Sequence, residues 1–378
     1  MRFAFLSVKF GNIFLTAMNA VFPIVLLIAL GYVLKRIKFL NKDFIKTGNK
    51  LVFKVLLPVM LFINVYDADF KSLKWDVILF SVVAIIAIFA IGLVVCVLTT
   101  KRNDRRGVIL QCTFRSNFAI IGTSLAVALA GSSEIISKNI SATVAIIQAF
   151  SIPLFNILAV ISLSVFVSSK PHILTESALV ADAGDKVLPT EERKSERNGI
   201  KRIIMGIITN PLIIGVAVGL IFLAVRELQI ACAGSVVFSF SKHLKFLYKA
   251  CSDLKLIASP LALIILGGQF EFSAVKGMLK EIIVGTSFRL VIAPLIGIGV
   301  AVLLSNYTNL FTFGAEEYPA LLALFGSPVA VSSAIMAGEM KNDEQLATQL
   351  VVWTSICSVL TVFVTVLILM SCGLLAVG

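Results

Sequence analysis

The sequence predicts an all-α polytopic membrane protein, and three observations support this class. Hydrophobic residues make up 58% of the 378 residues and charged residues only 14%, which is too little charge for the surface of a soluble protein of this size. Apolar runs of about 20 residues, long enough to cross a bilayer as helices, alternate with charged loops. These runs also form two similar sets of five, one in each half of the chain.

Ten transmembrane spans follow from the apolar runs. In chain order they cover roughly residues 14–34, 47–66, 76–98, 107–130, 142–168, 203–225, 250–269, 282–304, 318–337 and 347–371. The fourth and ninth spans are the poorest helices, because small polar residues, glycine or proline interrupt them. The opening residues MRFAFLSVKFGNIF lack the apolar core and cleavage site of a signal peptide, so none is predicted.

The basic residues predict the orientation of the chain. The net charge is +12, and lysine and arginine cluster in three segments, 34–50, 101–106 and 170–202. The positive-inside rule places both termini outside and the linker 169–202 in the cytoplasm, as in a multi-pass protein of the plasma or inner membrane. Four lysines on the predicted outer side fit poorly, namely Lys242, Lys245, Lys249 and Lys255. The charge pattern indicates contact with the lipid bilayer, and no nucleic-acid partner is predicted.

The residue types inside the spans argue against an enzyme, a metal site or a cofactor. The six cysteines show no metal-binding spacing, and both histidines, His172 and His243, fall in predicted loops. An intramembrane hydrolase with a nucleophile in GTS (122–124) would need a base at membrane depth. The span interiors hold essentially no aspartate, glutamate or histidine to supply one. A proton-coupled mechanism is disfavoured for the same reason.

Matched features in the two halves predict inverted repeats. The pairs are Pro23 with Pro211, Gly31 with Gly219, Pro58 with Pro260, and IGTSLAV (121–127) with FGSPVAV (325–331). Two repeats of five spans in one chain must enter the membrane from opposite sides, a device of secondary transporters. We therefore predict a first repeat (1–168), a cytoplasmic linker (169–202) and a second, inverted repeat (203–378).

The interrupted fourth and ninth spans predict the substrate site. Non-helical backbone at membrane depth must line a cavity or be buried in protein, and exposed helix N-termini favour an anion. The candidate binding residues are Arg115, Asn117, Gly122, Thr123, Ser124, Gln148, Ser327, Pro328, Val329, Ser332 and Ser333. Asn117 is expected one to two turns before the first break. Arg115 either attracts an anion or extends to the lipid headgroups.

Two further polar positions leave their roles open. Arg289 is expected to be structural. Gln148 and Asn156, two turns apart on span five, either face the crossing or hydrogen-bond between helices.

Several segments resemble the auxin efflux carrier family, which includes the plant PIN-formed carriers and bacterial permeases annotated for malate or malonate. They are FRSNFAIIG (114–122), TNPLIIGVAVGLIF (209–222), PLALIILGGQF (260–270), FRLVIAPLI (288–296) and SPVAVSS (327–333). The first matches the family's Arg-Gly-Asn-x-Gly-Phe-x-Gly segment at Arg115, Asn117 and Gly122. Ser116 replaces a common glycine, and Ser124 stands where the family usually has proline, so the first break is expected to be softer.

The resemblance implies broken, crossing fourth and ninth helices, with the substrate bound near the crossing. It also implies a scaffold of helices 1, 2, 6 and 7, often dimeric, and a mobile transport unit of helices 3–5 and 8–10 that moves like an elevator. The expected function is secondary transport of a small organic anion, a carboxylate, by a homodimer. Two alternatives are a sodium-coupled organic-anion symporter of the bile-acid-symporter type and a non-transporting membrane sensor.

Overall fold

The chain is described here from a computed structural model that covers residues 2–67, 74–118, 125, 134–166, 205, 208–308, 311–314 and 316–375. All regular structure in these ranges is helical, apart from one isolated antiparallel bridge between Ser116 and Val329. The predicted linker 169–202 lies outside the described residues.

Eleven helices organise the described part of the chain. They are α1 (Arg2–Arg36), α2 (Lys42–Tyr66), α3 (Trp75–Thr99), α4 (Asn103–Phe114), α5 (Glu134–Val165), α6 (Pro211–Ala233), α7 (Lys245–Gln269), α8 (Phe272–Tyr307), α9 (Glu317–Gly326), α10 (Ser332–Glu339) and α11 (Glu344–Ser371). A single turn, Phe240–His243, precedes α7. Three π-helical stretches interrupt α2 and α8, at Val52–Leu56, Phe288–Ile292 and Leu295–Gly299.

Seven helices of the described chain are long and apolar enough to cross a membrane. They are α2, α3, α5 (over Asn139–Val165), α6, α7, α8 and α11. Their hydropathy and length match the requirement for a bilayer span, so the predicted all-α polytopic class is confirmed. The number of ten spans stays a prediction.

Helices α6 and α7 begin at other residues than the rough starts of the predicted sixth and seventh spans. α6 begins at Pro211 rather than near residue 203, because the Asn210 side chain caps it by accepting a hydrogen bond from the Leu212 amide at 2.9 Å. α7 begins at Lys245 rather than near residue 250, so Lys245 and Lys249 lie on the helix. Three of the four lysines that fitted the topology poorly thus lie on α7, where Lys249 pairs with Asp253, and Lys242 lies in the single turn before it.

Helices α1, α2, α6 and α7 pack closely together and are called the first group below. A glycine on α1 meets the α7 backbone: a Cβ added at Gly31 would lie 1.9 Å from the carbonyl oxygen of Ile264. Likewise a Cβ at Gly267 would lie 1.9 Å from the carbonyl oxygen of Ile28. Only glycine permits this approach, so these positions fix how α1 crosses α7.

Helices α3, α4, α5 and α8–α11 form a second group, which polar contacts tie together at both ends. At one end the buried Arg105 guanidinium donates to Asp343 at 2.8 Å and to Glu281 at 2.9 Å. At the other end the Lys74 ammonium contacts Glu317 and donates to Glu316 at 2.9 Å. α11 also packs along α1, so the two groups share a long boundary.

Candidate functional site

Two helices of the second group end at the same place, and the chain segments that follow them pair. α4 ends at Phe114 and α9 at Gly326, and both chains then become extended. The Asn117 amide donates to the Pro328 carbonyl at 2.7 Å, and the Ala330 amide donates to the Arg115 carbonyl at 3.2 Å. Backbone groups freed by the breaks therefore satisfy each other, as buried non-helical backbone requires.

The break begins earlier than the sequence indicated. Asn117 was expected on a helix, one to two turns before the first break, but it lies in the extended segment itself. Helix α4 stops at Phe114 because residues 115–117 take partners from the second break instead of continuing the helix. Gly122, Thr123 and Ser124 lie outside the described residues, so their part in the first break stays a prediction.

Arg289 on α8 caps both helix ends and has no exposed surface. Its guanidinium donates to five carbonyl oxygens at 2.8–3.3 Å, those of Thr113, Phe114, Leu324, Phe325 and Ser327. The last carbonyls of a helix lack partners within the helix and carry partial negative charge. One cation thus neutralises two helix C-termini, which agrees with the structural role expected for Arg289.

Arg115 lies beside the same break but has different partners. It is 3% exposed, and its guanidinium donates to the Asn156 side-chain oxygen at 2.8 Å and approaches the Met336 sulfur at 3.1 Å. Both partners are neutral, so they offset the positive charge only weakly. Because the side chain is buried inside the protein, it does not extend to the surface, and its charge is directed into the interior.

Arg115 faces a cavity between the two groups of helices. The cavity has a volume of about 50 Å³ and opens to one side. Its lining residues are Leu57, Met60, Leu61, Arg115, Ser116, Asn117, Ile152, Phe155, Asn156, Leu212, Ser259, Ala262, Ala330, Val331 and Ser332. The second group supplies the cation and most polar groups, whereas the first group supplies mainly aliphatic side chains. Such a mixed lining is typical of a small-molecule site.

Two polar atoms on this lining have no hydrogen-bond partner among the described residues. They are the Ser116 hydroxyl and the side-chain nitrogen of Asn117, on residues 4% and 2% exposed. Buried polar groups without partners are uncommon in native proteins, and a bound molecule or water is one explanation for them. Both residues follow Arg115 directly in the chain and line the same cavity.

Of the remaining predicted residues that the structure describes, one lines the cavity and five do not. Ser332 begins α10 and lines the cavity, which directs the N-terminal end of α10 towards that space. The Ser327 hydroxyl bonds back to the Ala323 carbonyl, and Pro328 and Val329 hold the backbone pairing. Gln148 donates to the Phe118 carbonyl at 2.8 Å. Ser333 is buried on α10 and is not part of the lining.

Sequence reasoning missed the wall that the first group contributes. Leu57, Met60 and Leu61 follow the π-helical turn of α2, and Ser259 and Ala262 flank Pro260 of α7. The matched prolines Pro58 and Pro260 were the only sequence signal for this wall. They lie next to its lining residues but do not show which side chains face the cavity. Asn156 was considered for the crossing, and it does contact Arg115.

No group of three or more histidine, cysteine, aspartate or glutamate residues within the described ranges is placed to hold a metal ion. The polar atoms of the cavity are instead amides, hydroxyls and one guanidinium. This donor set suits a small anionic or polar organic molecule better than a metal.

The fold and cavity define a polytopic helical membrane protein with a small-molecule site at a pair of broken helices. The family model described as membrane transport protein matches residues 16–366. The chain therefore belongs to this transporter family, and the resemblance to auxin efflux carriers is confirmed. Among curated proteins, none matches the sequence. The protein is thus an integral, multi-pass membrane protein of a transporter family.

Proposed function

We propose that the protein is a secondary transporter for a small organic anion with a carboxylate group, bound at the paired breaks. The observation that carries this proposal is the buried Arg115 guanidinium, which lines the cavity and has only neutral partners among the described residues. An unpaired buried charge is costly, and intramembrane ionisable residues are usually functional. A substrate carboxylate would supply the missing counter-charge by accepting hydrogen bonds from the guanidinium.

Neighbouring groups extend the same preference for an anion. The Asn117 nitrogen, which has no partner among the described residues, is a donor, and the α10 N-terminus at Ser332 carries partial positive charge. The opposite wall of Leu57, Met60 and Leu212 would contact an apolar part of the substrate. The cavity therefore favours an organic anion over a fully hydrated inorganic one.

The crossing, the inverted repeats and the elevator movement belong to this proposal. Support for the crossing comes from the pairing of Ser116 with Val329. Support for the repeats comes from two equivalent contacts: Gly31 of α1 packs on α7, and Gly219 of α6 packs on Val65 of α2. A site between the two groups suits movement of the second group, the proposed transport unit, against the first, the proposed scaffold.

A dimer through the scaffold is also proposed. Helix α6 presents an exposed apolar face formed by Ile214, Val218, Ile221, Val225 and Leu228. In a bilayer such a face contacts lipid or a partner helix. Cross-linking of α6 positions between copies in native membranes would test the pairing, and exclusively monomeric protein would contradict it.

The experiment begins with a search for the substrate. Purified full-length protein is screened by thermal shift against acetate, benzoate, indole-3-acetate, malonate and malate. Uptake of each stabilising anion is then measured in proteoliposomes with and without a sodium gradient. Saturable uptake without sodium supports the proposal, and strict sodium dependence would favour the sodium-coupled alternative. Absence of both stabilisation and uptake for all five anions would contradict it.

Asn117→Ala tests the site itself. The variant removes a donor that has no partner among the described residues, so the unfolding temperature is expected to stay unchanged while anion affinity falls about tenfold. Thr348→Ala is the matched control, because its buried hydroxyl is also unpartnered in the described chain but does not line the cavity. Equal affinities of Asn117→Ala and wild type would remove Asn117 from the site.

A further inference from the structure

An apolar groove lies on the boundary between the two groups of helices, along the second half of α1. It has a volume of about 150 Å³. Its first wall is one face of α1, formed by Val25, Ile28, Ala29 and Tyr32. Val352 and Ile356 of α11, one turn apart, form the opposite wall. Ile356 is 44% exposed, and α11 is apolar enough to cross a membrane, so the groove opens towards the side that lipid covers.

Three aromatic rings close one end of this groove. Phe270 follows α7 and Phe272 begins α8, and their ring centroids lie 4.8 Å apart. The Tyr32 ring meets both of them edge-on, at 6.3 Å from Phe270 and 5.5 Å from Phe272. Phe272 is 61% exposed, whereas Phe270 is buried. Aromatic residues are enriched at the depth of the lipid headgroups, so this end of the groove is expected at the membrane surface.

A cation, Arg36, lies one helical turn beyond Tyr32. Its Nε donates to the Tyr32 hydroxyl at 3.0 Å, and its guanidinium carbon lies 5.6 Å from the centre of the Tyr32 ring. The terminal guanidinium nitrogens have no hydrogen-bond or ion-pair partner within the described residues. A guanidinium held in this way presents its remaining donors to a phosphate group, which it can bind through two parallel hydrogen bonds.

A polar cleft of about 430 Å³ begins where the groove ends. The two are adjacent because Glu271, which faces the cleft, stands between Phe270 and Phe272 in the chain. Glu271 is paired with Lys35 at 3.4 Å. The other charged residues of the cleft are Lys42, Lys46, Lys50, Glu339 and Glu344. The three further lysines are exposed and recur every four residues on α2, so together with Arg36 they give this end of the groove an excess of positive charge.

We propose that the groove binds one anionic phospholipid, with an acyl chain between α1 and α11 and the phosphate group at Arg36. Basic pockets between transmembrane helices suit anionic headgroups, and the basic segment 34–50 is predicted to face the cytoplasm. A choline headgroup would bring its own cation to a region that already carries several, so a zwitterionic lipid fits less well. The bound lipid would contact both groups of helices, at a place separate from the cavity beside Arg115.

The first experiment compares two lipids that differ only in the headgroup. Full-length protein is freed of lipid in a neutral detergent and titrated with dioleoyl phosphatidylglycerol or dioleoyl phosphatidylcholine, and native mass spectrometry counts the lipids bound to each chain. One phosphatidylglycerol per chain is expected, with about tenfold higher affinity than phosphatidylcholine. Equal affinities for the two lipids would contradict the proposal. Transport is not measured, so the result does not depend on the proposed function.

Arg36→Gln tests the phosphate contact. The variant is expected to bind phosphatidylglycerol about tenfold more weakly, close to the affinity for phosphatidylcholine, while Arg36→Lys keeps part of the preference. Lys276→Gln is the matched control, because it removes an exposed positive charge from the start of α8 that lines neither the groove nor the cleft. Unchanged affinity in Arg36→Gln, or an equal loss in Lys276→Gln, would overturn the proposal.

Ala29→Phe tests the chain contact by placing a ring in the groove. It should weaken the binding of both lipids, whereas Leu30→Phe, at a neighbouring residue that is 44% exposed and does not line the groove, should not. Unfolding temperatures without lipid show that the variants are folded. Lipid affinity in Ala29→Phe equal to that of wild type would remove the chain from the groove. Glycerol phosphate that binds as tightly as phosphatidylglycerol would assign the site to a free anion instead.

Discussion

Arg115 and Arg289 lie at the same pair of helix breaks, and both are buried, yet their surroundings differ. Arg289 donates to five backbone carbonyls at the negative ends of α4 and α9. Arg115 has one amide oxygen and one sulfur. Within the described residues, the protein occupies the donors of Arg289, whereas Arg115 has fewer partners, and we propose that a ligand supplies the rest.

The first prediction concerns Arg289 and has the largest expected effect. Arg289→Leu leaves the carbonyls of two helix ends buried without a donor, which costs about 3–5 kcal/mol by analogy with broken buried charge networks. We expect the unfolding temperature in detergent to fall by about 10 °C or more. Arg289→Lys should give an intermediate value, because an ammonium cannot reach all five oxygens. An unfolding temperature of Arg289→Leu equal to that of wild type would show that the caps are dispensable.

The second prediction concerns Arg115, for which binding should fail while the fold remains. Arg115→Gln keeps a hydrogen-bonding group near Asn156 and removes a buried charge with neutral partners, so stability is expected to change by only about 1 kcal/mol. Affinity for a stabilising carboxylate should fall by about 10- to 100-fold, the loss of a charge-assisted contact. Calorimetric titration measures this change, with Arg115→Lys expected to retain part of the affinity.

If Arg115→Gln unfolds like Arg289→Leu, the distinction between the two arginines disappears, and Arg115 becomes a second structural cation. If it folds and binds the anion as wild type does, the substrate lies elsewhere. Either result distinguishes an effect on binding from an effect on folding, because Arg115→Gln and Arg289→Leu both replace an arginine at the same pair of breaks.

The sequence predicted an all-α polytopic membrane protein and located the second helix break, both for direct physical reasons. A proline inside an apolar run cannot donate its helix hydrogen bond, so Pro328 marks the end of a helix, and α9 does end at Gly326. Long apolar runs likewise predict spans. The first break was placed too late along the chain because no proline marks it, and α4 ends where Arg115–Asn117 find backbone partners on a segment more than 200 residues away.

The cavity wall and the role of Arg289 depend on contacts that no local pattern encodes. The carbonyls that Arg289 contacts on α4 are 175 and 176 positions away in the chain, and a carbonyl acceptor has no residue-type signature. The aliphatic wall of Leu57, Met60 and Leu212 looks like any lipid-facing or core surface in the sequence. Glu344 appeared to be a loop residue because the helix start could not be located more closely than several positions.

A third cation, Lys74, completes the comparison and gives the smallest expected effect. Its ammonium pairs with the carboxylates of Glu316 and Glu317, and the Lys74 and Glu316 side chains are 41% and 32% exposed. The hydrogen bond from Lys74 lowers the pKa of Glu316, although burial of the Glu316 carboxyl group opposes this shift. Lys74→Gln should therefore destabilise the protein by about 1 kcal/mol at neutral pH, because solvent screens the Lys74–Glu316 pair, whereas the Glu317 side chain is 11% exposed and loses its cation.

The pH dependence of this effect has a definite sign. A carboxyl group whose pKa is lowered in the folded state contributes stability above its ordinary pKa of about 4.3, and this contribution disappears as the pH falls through the folded-state value. Unfolding temperatures of wild type and Lys74→Gln should thus differ slightly at pH 7 and converge at about pH 3. Lys276→Gln, at an exposed lysine of α8, controls for the loss of one positive charge. The opposite result would be a difference in unfolding temperature between wild type and Lys74→Gln that grows as the pH falls. It would mean that Lys74 does not stabilise the ionised Glu316 and that this ion pair does not hold the end of the second group.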